Sequence, residues 1–138
     1  MELFLPATTF GVGSYPSRLL NADFNHDTHL DIVTSNYGAN TISVLLGNGD
    51  GTFKAPLSYN IGAGPYVGIV AGDFDGDNKY DIAMTSLIGV SILIGNGNGT
   101  LQAPMSYSAA EIVSDPFASG LTIGDFNKDG KFQDSCHC

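Results

Sequence analysis

The chain has 138 residues, enough for one ordinary domain, and it is acidic, with 14 Asp and Glu against 5 Lys and Arg. The formal net charge of −9 excludes binding of nucleic acid or of an anionic membrane through bulk charge. No segment reaches the roughly 18 apolar residues of a membrane span, so no membrane insertion is expected, and residues 1–10 lack the basic start of a signal peptide.

The acid is unevenly composed: only Glu2 and Glu111 are Glu, and the other acidic residues are Asp. Asp is a poor helix and strand former but a good turn residue and oxygen ligand. Eighteen Gly and six Pro add turns, while Val, Ile, Thr, Tyr and Phe supply strand material. The expected class is all-β with almost no helix.

Taken along the chain, the first unit (about 10–60) opens with Phe10-Gly11 and Gly13-Ser14-Tyr15-Pro16. An acidic block follows, Asp23-Phe24-Asn25-His26-Asp27-Thr28-His29-Leu30-Asp31. Next comes an apolar run, Ile42-Ser43-Val44-Leu45-Leu46, whose two faces are both partly apolar. That suits a sheet lying between neighbouring sheets. The unit closes on Gly47-Asn48-Gly49-Asp50-Gly51-Thr52-Phe53, a tight turn, and Lys54-Ala55-Pro56-Leu57-Ser58-Tyr59.

The second unit (about 61–110) repeats these features. Gly62-Ala63-Gly64-Pro65 precedes a second block, Asp73-Phe74-Asp75-Gly76-Asp77-Asn78-Lys79-Tyr80-Asp81. Val90-Ser91-Ile92-Leu93-Ile94 and the Gly95 to Tyr107 turn and strand recur at an offset of 48. Four strands are predicted, at 66–72, 80–86, 90–94 and 102–107. A truncated third unit (about 111–138) holds Pro116 and the block Asp125-Phe126-Asn127-Lys128-Asp129-Gly130-Lys131-Phe132-Gln133. A period of about 50 residues with four strands per unit points to propeller blades. The expected fold is an incomplete β-propeller of two to three four-stranded antiparallel blades, the acidic loop joining strands one and two; a stand-alone β-sandwich is the alternative.

Each block places oxygen side chains at positions 1, 3 and 5, and the first two add Asp at position 9. Alternation turns short side chains inward on one ion, and position 7 contributes its backbone carbonyl, whatever its side chain. The candidate metal residues are therefore Asp23, Asn25, Asp27, His29 and Asp31; Asp73, Asp75, Asp77, Lys79 and Asp81; and Asp125, Asn127, Asp129 and Lys131. Hard oxygen donors without thiolate or an imidazole cluster select Ca²⁺. The alternative is three polar turns with no ion. Thr28 at position 6 is less suited to a left-handed turn than Asn78 or Gly130. Position 12 is Thr34 or Met84 rather than the Glu of a helix-flanked calcium loop.

These elements together resemble the FG-GAP or VCBS repeats of integrin α-subunit propellers and of bacterial surface and secreted proteins. The resemblance covers residues 10 to about 132. It implies calcium loops between strands one and two, an extracellular or cell-surface location, and a scaffold for adhesion or for a protein or glycan ligand. Two other roles stay open: a calcium-dependent lectin, and the accessory propeller of a secreted carbohydrate-active enzyme. No nucleophile elbow, zinc-ligand spacing or phosphate-cradling loop is present, so catalysis is not expected. His26 and His29 are expected to face solvent. Self-association through exposed blade faces is expected of so few blades.

The third unit departs from the repeat. Position 9 is Gln133, and the chain ends Asp134-Ser135-Cys136-His137-Cys138 where an apolar strand is expected. The codons GCT-GTC-ACT-GC for Ala-Val-Thr-Ala, read one base out of register, give Ser-Cys-His-Cys. Residues 135–138 are therefore expected to be a frameshifted strand, and the third site weak or empty.

Overall fold

The computed structural model describes residues 8–62, 65–86, 89–108, 120–124 and 133–137. The third acidic loop, with Asp125, Asn127, Asp129 and Lys131, lies outside the described residues, as does most of the stretch after Ser108.

Strands β1 (Pro16–Ala22), β2 (Asp31–Asn36), β3 (Thr41–Leu45) and β4 (Leu57–Asn60) form one antiparallel sheet in sequential order. Strands β5 (Pro65–Gly72), β6 (Asp81–Ser86), β7 (Gly89–Leu93) and β8 (Met105–Ser108) form a second sheet of the same order. Strands β9 (Gly120–Gly124) and β10 (Gln133–His137) make a two-stranded third. The first two sheets are thus the expected four-stranded units, and they are open rather than closed on themselves. The described helix is a single 3-10 turn at Tyr37–Ala39.

The fourth strand of the second unit starts at Met105 rather than at 102. Pro104 has no N–H to give a ladder, so pairing begins just past it, and Pro56 does the same before β4. The expectation that the third unit lacks its second strand is corrected. Gln133 pairs with Gly124 as Asp31 pairs with Ala22 and Asp81 with Gly72. The ladder needs only backbone donors and acceptors, and residues 133–137 contain no proline to remove one.

The first strands of successive sheets lie side by side, β1 next to β5 and β5 next to β9. Sheet one's cross-strand rows Leu20–Val33–Val44–Leu57 and Ile42–Tyr59 join one core with sheet two's rows Ala71–Ile82–Leu93 and Ile69–Met84. Val33, Ile42, Val44, Ile82, Met84 and Leu93 are all fully buried there. Each such side chain contributes roughly 1.5–3 kcal/mol on burial. The contact is keyed by polar and ring interactions too. Leu101 N–H donates to the Tyr59 hydroxyl at 3.0 Å, Gly99 N–H to the Phe24 carbonyl at 3.1 Å, and the Phe24 and Tyr80 rings meet edge-on at 5.8 Å.

The same residues on the far side of sheet two have less cover. Met105 and Tyr107, which correspond to Leu57 and Tyr59, are 44% and 57% exposed.

Candidate metal centre

Both described acidic loops fold alike, and their sequence dictates how. The position 1 carboxylate reaches forward over the loop: Asp23 accepts from Asp27 N–H (3.1 Å) and Thr28 N–H (2.8 Å). Asp73 accepts from Gly76 N–H (2.7 Å), Asp77 N–H (3.0 Å) and Asn78 N–H (2.9 Å). Position 3 caps the same turn, with Asn25 Oδ1 and Asp75 Oδ1 accepting from the N–H of Asp27 and Asp77. Position 5 caps the next, with Asp27 and Asp77 each accepting from the position 7 N–H at 2.9 Å. These are successive Asx turns, available to Asp and Asn because their side-chain oxygens reach two residues along.

Position 9 does something different. Asp31 and Asp81 are fully buried at the first residue of the second strand. Asp31 accepts from Phe24 N–H and Gly47 N–H, both at 2.8 Å. Asp81 accepts from Phe74 N–H and Gly95 N–H, again both at 2.8 Å. One carboxylate therefore ties together the acidic loop, strand two and the glycine-rich hairpin. Gly47 and Gly95 must be glycine for this approach: a Cβ there would run into the Leu30 or Tyr80 carbonyl oxygen.

The second loop gathers charge. Asp73, Asp75 and Asp81 each offer a carboxylate oxygen, and these oxygens lie within 4.8 Å of one another. Burial, with the charges of Asp75 and Asp77 adding to it, raises the Asp81 carboxyl above the usual carboxylate range against the pull of its two N–H donors. In the first loop position 3 is an amide, and Asn25 Nδ2 donates to Asp27 Oδ2 at 2.8 Å. The backbone N–H of His29 and then this amide hold Asp27 below the usual range. Asp77 is held low first by the Lys79 ammonium, its ion-pair partner.

The position 7 side chains have a role that the spacing did not reveal. The His29 ring lies over Gly49, and the Lys79 stem over Gly97, in the hairpin of the same unit. A side chain on either glycine would collide with them, and both glycines have positive φ. The recurring Gly at 47 and 95 and at 49 and 97 was the visible sign of both contacts. His26 and His29 are exposed, as expected.

Thr28 adopts φ 71° where Asn78 has φ 62°. A β-branched residue there costs about 1–2 kcal/mol. Thr28→Asn is therefore expected to raise the unfolding free energy by about 1 kcal/mol, read from urea midpoints at unchanged slope.

Residues 23–84 match the family model described as an FG-GAP-like repeat. That span is similar to an FG-GAP-like repeat. The matched span runs from the first residue of the first acidic loop, through β2 to β5 and the second loop, to Met84 in β6. No curated protein and no solved structure matches the chain. The matched span thus contains both described loops whole. Among the described residues no helix is long and apolar enough to cross a membrane.

Proposed function

We propose that this FG-GAP-like module binds Ca²⁺ in its acidic loops and serves as an interaction scaffold of an extracellular or cell-surface protein, for a protein or glycan ligand. The observation that carries the reading is the convergence of Asp73, Asp75 and Asp81 on one point, with the buried Asp81 pushed toward protonation. A divalent cation relieves both the burial cost and the mutual repulsion of these carboxylates. The donor set fits a hard ion: it is oxygen only, on a loop whose Asx turns already order the backbone.

In the second loop Asp73, Asp75, Asp77 and Asp81 and the carbonyl of Lys79 would hold the ion. In the first loop the same roles fall to Asp23, Asn25, Asp27, the carbonyl of His29, and Asp31. The second loop is the better prepared, because its position 3 is a carboxylate. A binding role rather than catalysis is supported by the glycine-rich turns. They are antiparallel hairpin turns, bridged Gly47 to Phe53 and Gly95 to Leu101, and not phosphate loops leading into helices.

Calorimetric titration with Ca²⁺ at constant ionic strength tests the metal reading. The expected result is saturable binding that Asp75→Ala abolishes at the second loop. A flat titration of the folded protein would remove it.

A further inference from the structure

In the second loop a single residue engages both oxygens of the position 5 carboxylate. The backbone N–H of Lys79 donates to Asp77 Oδ1 at 2.9 Å, and its ammonium pairs with Asp77 Oδ2. The three carboxylates whose oxygens converge are Asp73, Asp75 and Asp81, and Asp77 is the one left out.

The ammonium is steadied from the hairpin side. The Lys79 stem lies over Gly97, where a Cβ would stand 2.7 Å from Lys79 Cδ. An exposed ion pair is usually weak, partly because two side chains must be held in one geometry. Here the longer side chain already rests on the hairpin, so less freedom is lost on pairing. The Asp77 carboxylate, and beyond it the charges of Asp75 and Asp81, raise the ammonium above the usual lysine range.

The first loop contains no lysine. There Asp27 Oδ2 is held by the Asn25 amide, and the His29 ring takes the place over Gly49. Between the loops two changes go together: Asn25 becomes Asp75, which adds a negative charge, and His29 becomes Lys79, which adds a positive one. With His neutral, Asp23, Asp27 and Asp31 give the first loop −3; Asp73, Asp75, Asp77 and Asp81 give the second −4, and Lys79 returns it to −3. The lysine balances the extra carboxylate.

We propose that the Lys79 ammonium is the built-in counter-cation of the second loop, and that a divalent ion binds there by displacing it from Asp77 Oδ2. The inference rests on the calcium reading of that loop. Once released, Asp77 turns this oxygen to the ion beside Asp73, Asp75 and Asp81. The exchange trades one positive charge for two, so Ca²⁺ gains where Na⁺ or K⁺ only replaces like with like. Lys79 is thereby a specificity-determining residue: it sets the affinity of the loop and biases it toward divalent ions.

Lys79→Met tests this, because it keeps a long stem for Gly97 and removes the ammonium. In calorimetric titration with CaCl₂ at constant ionic strength, the variant should bind Ca²⁺ at the second loop about tenfold more tightly than the parent, the scale of one unit charge close to a divalent ion in water. The first loop should keep its affinity, and NaCl should compete better with Ca²⁺ in the variant than in the parent. The ammonium resonance of Lys79 in the ¹⁵N-labelled parent separates displacement from charge repulsion at a distance. It should be protected from exchange with water in chelator and lose that protection at saturating Ca²⁺. Equal affinities in parent and variant, or a Lys79 resonance unchanged through the titration, overturn the displacement while leaving the calcium reading in place. Flat titrations of both proteins remove the calcium reading, and the displacement with it.

Discussion

Chelation is expected to lower the melting temperature of this protein by roughly 10 °C, and added Ca²⁺ to restore it. The size follows from mass action: an ion at a hundredfold excess over its dissociation constant stabilises the folded state by about 2.7 kcal/mol if the unfolded chain does not bind it. The direction follows from the second loop, where Asp73, Asp75 and Asp81 hold like charges within 4.8 Å. Asp75→Ala should erase most of the response at that loop while leaving the chelated protein's melt nearly unchanged. Asp75 is exposed, and its one described bond is to the Asp77 N–H. Screening by simple salt would also ease repulsion, so the comparison is made at fixed ionic strength with Mg²⁺ and Na⁺ controls. Superimposable melts in chelator and in calcium would sink the metal reading.

How much of this was legible in the sequence differs from element to element. The strand order was, because a period of about 50 residues repeats both the apolar runs and the turns. The edges of β4 and β8 were less so. In the runs 54–59 and 102–107 a proline stands third, and ladder pairing starts only past it, at Leu57 and Met105. The acidic loops were legible as loops, since Asp at alternate positions is the pattern of successive Asx turns. The division of labour within them was not. Positions 1, 3 and 5 look equivalent to position 9 in the string, but strand pairing places Asp31 and Asp81 inside the sheet and turns both their oxygens to backbone donors. The contacts of His29 with Gly49 and of Lys79 with Gly97 lie 20 and 18 residues apart in sequence, beyond the reach of any local pattern. The bond from Leu101 N–H to Tyr59 crosses between sheets and depends on their stacking.

The largest single-residue effect should come from Asp81, and it should persist without any metal. Asp81 is fully buried and holds the N–H groups of Phe74 and Gly95. Truncation to Ala leaves both donors without their acceptor. Each unsatisfied buried group costs about 1–3 kcal/mol, so Asp81→Ala should destabilise the chelated protein by about 3–5 kcal/mol. That is a large share of a domain's total stability of about 5–15 kcal/mol. Asp31→Ala should behave alike through Phe24 and Gly47. Asn at either position keeps one acceptor oxygen but turns an N–H₂ toward the other donor, so it should fall between Ala and the parent. Removing a carboxylate whose charged form is already disfavoured by burial offsets part of the loss. The offset is the smaller term, because the two hydrogen bonds join three separate segments and the charge disfavours only one group. Urea melts in chelator, with amide exchange read at Phe74 and Gly95, measure the effect directly. In the same buffer Asp75→Ala should match the parent. If Asp81→Ala also matches it, the ninth carboxylate is not the tie between loop, strand and hairpin, and its burial serves the ion alone.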